Sequence, residues 1–237
     1  MLLTKVRQHS MVRIALFLIM LLPALNLAGC GGPPPDRQTN AKKALPEHGT
    51  IVCVGDSLTA GYGIAAEQSY PGQLARKIAA ADLGFQVINA GVSGETSSGT
   101  LSRINWILTM KPDIIILETG ANDGLRGITP ALIKRNIREI IRRLQENKIV
   151  IILAGMQMVR NLGPAYTSSF NAIYGEIARE TGVLFMPFFL QGVAADPALN
   201  IGDGIHPNPQ GYAIIVDNLF PYVRQAINHR TGQATAK

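Results

Sequence analysis

Cysteine is almost absent from this chain: Cys30 and Cys53 are the only two among 237 residues. One pair cannot build a disulfide framework, and Cys53 sits inside an apolar stretch, where it reads as a buried structural thiol. Charge is sparse as well, at 16% of residues against about 25% in ordinary proteins. The net charge of +6 depends on Lys5, Arg7 and Arg13, which precede every acidic residue; without them 19 basic residues face 16 acidic ones. No dense basic stripe remains to track a phosphate backbone, so nucleic acid is not an expected partner. The chain has no Gly-x-x-x-x-Gly-Lys loop to cradle a phosphate. It also lacks a Gly-x-Ser-x-Gly elbow, because Gly91-Val92-Ser93-Gly94 is followed by Glu95. Histidine occurs only as His9, His48, His206 and His229, which argues against a zinc site. No metal and no cofactor is expected.

What is present begins with an export-like segment. A basic stretch precedes an apolar run from Ile14 to Ala28, shorter than the roughly 20 residues of a spanning helix. Leu27-Ala28-Gly29-Cys30 closes that run and resembles the lipobox of bacterial lipoproteins. The resemblance implies a signal peptide over 1–29, cleavage before Cys30 and acylation of its thiol and new amine. An ordinary cleaved signal and an uncleaved anchor are the alternatives. Several acyl chains anchor essentially permanently, whereas one binds only marginally. Gly31 follows the cysteine where Asp would suggest inner-membrane retention, so family knowledge favours the outer membrane, facing the periplasm. Residues 30–49 are rich in Pro, Gly and polar residues and read as a flexible tether.

From residue 50 the pattern alternates short β-branched runs with helical periods. Strands are predicted at Thr50 to Gly55, Gln86 to Ala90, Asp113 to Glu118, Lys148 to Ala154 and Val183 to Pro187. Each is a nearly continuous apolar run, as expected of strands covered on both faces. Between them lie the sets Leu74, Ile78, Ala81, then Leu101, Ile104, Leu108, then Leu132, Ile133, Ile137, Ile140, Ile141, Leu144. Pro71 and Pro130 suit helix starts, where a missing N–H costs little. The alternation predicts an α/β protein with a five-stranded parallel sheet between two helical layers, over residues 50–228, followed by a polar tail at 229–237.

Four motifs fall just after these strands: Gly55-Asp56-Ser57-Leu58, Ser93-Gly94, Gly120-Ala121-Asn122-Asp123 and Asp203-Gly204-Ile205-His206-Pro207. In an open parallel sheet, ligands bind beyond the carboxyl ends of the strands, so the fold would gather all four at one edge. A serine hydroxyl needs a base within about 2.6–3.2 Å to become a nucleophile. His9, His48 and His229 lie outside the predicted core, which leaves His206 as candidate base for Ser57 and Asp203, three residues earlier, as its orienting acid. Glycine at 94 permits a positive φ and close approach to a developing oxyanion; the Asn122 amide and the Ser57 N–H are candidate partners in that task. Asp56 and Asp123 read as loop-holding acids, and Ser93, Ser97 and Ser98 as capping residues. Asp196 is a fallback partner for His206.

On these motifs the chain resembles GDSL-type hydrolases of the SGNH superfamily, whose fold is flavodoxin-like. Asn122-Asp123-Gly124-Leu125-Arg126-Gly127 and Asp203-Gly204-Ile205-His206-Pro207-Asn208 are similar to the bacterial group of multifunctional thioesterases, lysophospholipases and arylesterases. The resemblance implies a serine esterase with Ser57 as nucleophile, Gly94 and Asn122 as oxyanion donors, and Asp203 and His206 completing a triad. It also implies an acyl-contacting loop over Gly155 to Tyr166, with Met156, Met158, Leu162 and Tyr166 as candidate substrate contacts; plain packing explains them equally. Because His206 must be neutral to act as base, activity is expected to fall on the acid side of neutrality. Lysophospholipids or other carboxylic esters at a membrane surface suit an exported protein better than thioesters of a cytoplasmic carrier. The alternatives are a polysaccharide O-deacetylase of the same superfamily and a non-enzymatic surface lipoprotein.

Overall fold

The computed structural model describes residues 49–158 and 162–232. The signal segment, Cys30 and most of the tether lie outside the described residues. Five parallel strands, β1 (Gly49–Gly55), β2 (Phe85–Gly91), β3 (Ile114–Glu118), β4 (Val150–Ala154) and β5 (Leu184–Met186), form one sheet in the order β2-β1-β3-β4-β5. Helices cover both faces, as the alternating pattern predicted. They are α1 (Ser57–Ala60), α2 (Tyr70–Ala80), α3 (Ser97–Ser102), α4 (Ile104–Thr109), α5 (Ala121–Leu125), α6 (Pro130–Glu146), α7 (Pro164–Thr181) and α8 (Pro209–Thr231). The order reverses between β1 and β3, so a crevice opens between their carboxyl ends.

The central strands bury both faces: β1 from Thr50 onward, all of β3, and β4 beyond Val150. The expectation of double burial fails at the edges. β2 buries only Phe85 and Ala90 and β5 only Met186, because an edge strand has fewer neighbours to cover it. Cys53 is buried in β1, and burial pushes its thiol up to about 12, as suits an inert structural cysteine.

Helix α6 shows the pattern at its clearest. Ile133, Ile137, Ile140, Ile141 and Leu144 form one buried face, while Lys134 and Arg138 bridge to Glu176 and Glu180 of α7 on the polar side. Such exposed pairs add little; the buried face holds the helix down. The second helical run is broken at Arg103 into α3 and α4, with the Arg103 guanidinium turned onto Glu95. At the other end α8 continues to Thr231, so His229 lies in its last turn rather than in a tail.

Candidate active site

β1 delivers Ser57 at the first position of α1. Asp56 caps that short helix, its Oδ1 accepting from Leu58 N at 3.0 Å. The strand must end in glycine: a Cβ on Gly55 would stand 2.2 Å from Thr59 Oγ1 and 2.4 Å from Glu118 Oε2. After β5 the chain forms a clamped loop, with Ile201 N donating to His206 O and Asn208 N donating to Leu199 O. Asn208 then caps α8 through Gln210 N and Gly211 N. Farther along that helix Tyr212 Oη donates to Leu58 O at 2.8 Å, tying α8 to the Ser57 turn.

These ties bring together groups 149 residues apart. His206 Nε2 lies 2.8 Å from Ser57 Oγ, and His206 Nδ1 lies 2.6 Å from Asp203 Oδ2. Asp203 Oδ1 accepts from Ile205 N and His206 N, both at 3.0 Å. Desolvation raises the Asp203 carboxyl, but the Ile205 amide, the His206 side chain and the His206 amide outweigh it and hold the acid down to about 2. An ionised Asp203 thus accepts the Nδ1 proton and leaves Nε2 free to accept from Ser57 Oγ. Asp196 takes no part: its Oδ1 accepts from Ala198 N in a separate turn.

Three donors converge on the same edge. Gly94 has φ of 77°, the left-handed conformation expected of it, and its N–H meets no acceptor among the described residues. The Ser57 N–H is likewise free of an acceptor there, and Asn122 Nδ2 spends one hydrogen on Asp56 Oδ2 at 2.9 Å. Arg126 Nη2 donates to Gly94 O and steadies that loop. Asp123 holds a loop, as predicted, by accepting from Ser97 N and Ser97 Oγ at 2.7 and 2.6 Å. The reading of Ser97 as a cap is corrected: Thr96 caps α3, and Ser97 is buried one residue inside it. Ser98 accepts from Asn136 of α6 instead.

Ser57 and His206 sit in a cavity of about 400 Å³ whose apolar wall includes Tyr62, Leu125, Met156, Met158, Phe188 and Ile205. Met156 and Met158 thus share the cavity with Ser57 and His206. Leu162 and Tyr166 are not part of the wall. Tyr166 Oη instead donates to Ile128 O, and its ring stacks on Phe170, so packing is its visible role. Sequence reasoning missed Tyr62, whose ring centroid lies 4.8 Å from that of His206, and Phe188 after β5. Neither stands in a motif, so the sequence carried no signal for them.

Comparison with known proteins matches residues 53–214 to the GDSL-like Lipase/Acylhydrolase family. The chain belongs to that family. It is 33% identical over 176 residues to Esterase TesA of Pseudomonas aeruginosa, covering 74% of this chain and 88% of that one. It is also 33% identical over 181 residues to Thioesterase 1/protease 1/lysophospholipase L1 of Escherichia coli, covering 76% and 86%. Among solved structures, the psychrotrophic esterase EstA of Pseudoalteromonas sp., inhibited by monoethylphosphonate, superposes with a TM-score of 0.72 at 31% identity, covering 76% of this chain and 99% of that one. The SGNH-type fold and the hydrolase class follow from family membership, and the non-enzymatic alternative gives way to them. The matched residues span all four motifs.

Proposed function

We propose that this GDSL hydrolase cleaves carboxylic esters through an acyl-Ser57 intermediate, with medium to long acyl chains or aryl groups lodged in the apolar cavity. The observation that carries the reading is the 2.8 Å approach of His206 Nε2 to Ser57 Oγ at the floor of that cavity. Ser57 Oγ attacks the acyl carbonyl while its proton passes to His206 Nε2. The carbonyl oxygen gains the negative charge and is held by the N–H groups of Ser57, Gly94 and Asn122. His206 then gives its proton to the leaving alcohol, and water activated by the same nitrogen frees the acid. The names esterase, arylesterase and lysophospholipase carried by relatives support carboxylic ester substrates, and the thioesterase name of one supports thioesters as an extension of the same chemistry. A wall of methionine and aromatic side chains favours hydrocarbon over an acetylated sugar.

The Cys30 motif supports a lipid-anchored protein at the outer membrane, facing the periplasm, which places lysophospholipids within reach. The test is hydrolysis of p-nitrophenyl esters from acetate to palmitate by the whole protein and by Ser57→Ala. A maximum at medium or long chains, abolished in the variant, supports the reading. Turnover of acetate alone turns it toward deacetylation, and equal rates in the two proteins overturn the assignment of Ser57.

A further inference from the structure

Behind the Ser57 turn lies a second acid that the hydrolysis above does not use. Glu118, the last residue of β3, is fully buried. Its Oε2 accepts from Thr59 Oγ1 at 3.0 Å and from Asp56 N at 3.3 Å, while Oε1 is buried with no donor to accept from. Through the Asp56 N–H it is tied to a second buried acid, Asp56 itself being only 1% exposed. A fully buried carboxyl with one oxygen unpartnered and no cation beside it is favoured in its neutral form. No lysine or arginine pairs with either acid among the described residues. Arg103, whose Nη2 reaches Gly55 O at 3.4 Å, is committed to Glu95 through two nitrogens.

We propose that Glu118 keeps its proton through the working pH range beside an ionised Asp56, and that Glu118 is thereby a positioning residue for Asn122 and the Ser57 turn. The division of labour follows from the partners. Asp56 accepts from Leu58 N and Asn122 Nδ2, contacts that favour its ionised form. Glu118 has one hydroxyl and one weak amide contact and an oxygen with nothing to solvate its charge, so it is the member that keeps the proton. Burial raises Glu118 well above the ordinary carboxyl range and the nearby Asp56 charge raises it further; burial also raises Asp56, against its amide contacts and His206. The other titratable groups facing Glu118 are Tyr70 of α2, Tyr174 of α7 and Tyr212 of α8, none of which supplies a cation. With one charge, the pair aligns the Asn122 amide; with two, it would push against the oxyanion and release the turn. The proton stays on Glu118 and never enters the reaction.

The inference rests on the ester-hydrolase reading for its kinetic arm alone; its other arm reads the proton itself. In the full-length protein carrying glutamate labelled with carbon-13 at the carboxyl, one resonance should keep its protonated position from about pH 4.5 to about pH 8 and be missing from Glu118→Gln. Titration of every glutamate in the ordinary range overturns the proposal, whether or not the protein hydrolyses esters or the variant folds. In kinetics, Glu118→Ala should lower kcat at least about tenfold with KM within about twofold, and Glu118→Gln should restore kcat at neutral pH. A folded Glu118→Gln that fails to restore kcat overturns the positioning role.

Discussion

At the scale of single residues, the site is a set of donors whose partners are half spent. Asn122 gives one amide hydrogen to Asp56 and keeps the other, which makes its side chain a preset dipole rather than a free rotor. Replacing Asn122 by Ala should therefore lower kcat for a p-nitrophenyl ester by about 10²–10³, or roughly 2.7–4 kcal/mol, with KM little changed. Steady-state kinetics at saturating ester read this directly; a loss confined to KM would make Asn122 a ground-state contact. Ser57, Asp203 and His206 were legible in the sequence because each stands in a short motif, Ser57 at the end of β1 and the other two in the loop before α8, and because elimination left His206 alone as candidate base. Tyr62 and Glu118 were not. A tyrosine in a glycine-rich loop and an acid closing an apolar strand carry no local mark of what the fold will lay against them.

Elements are held to one another by a buried polar chain that runs from α5 to α6. Asp123 of α5 accepts twice from Ser97 of α3, and Asn136 of α6 donates to Ser97 Oγ at 3.0 Å and to Ser98 Oγ at 2.8 Å. Asp123→Ala leaves a buried amide and hydroxyl without their charged acceptor and should cost about 3 kcal/mol in urea unfolding. A loss under about 0.5 kcal/mol would show that the chain is not holding these helices. Strand existence was readable from runs such as Ile114–Glu118, since fully buried strands need apolar residues on both faces. Edge position went unread: Leu184–Met186 has the composition of an inner strand, and in Phe85–Gly91 only Gln86 and Asn89, both exposed, interrupt the apolar run. The break at Arg103 escaped for a related reason. The apolar period continues across it, and only the Arg103 to Glu95 pairing shows why the helix turns.

For the molecule as a whole, the buried acids set how stability depends on pH. A native Glu118 that keeps its proton binds more protons than the unfolded chain above the ordinary value of 4.5, so unfolding free energy falls as pH rises from there. One retained proton gives a slope of about 1.4 kcal/mol per pH unit, up to the pH at which native Glu118 ionises. Asp203 acts in the opposite sense: its contribution is present above 3.8 and lost as pH falls through about 2. Urea midpoints should therefore be higher near pH 5 than near pH 8, and Glu118→Gln should flatten that slope; a midpoint rising toward pH 8 would contradict it. The 149-residue separation between Ser57 and His206 has one more consequence. On the proposed mechanism the nucleophile is made early in synthesis and its base nearly last, after every strand of the sheet, so an unfinished chain has a serine with nothing to deprotonate it. On that mechanism hydrolytic power is withheld from the nascent polypeptide until the final helix docks, which would make catalysis itself a report that folding is complete.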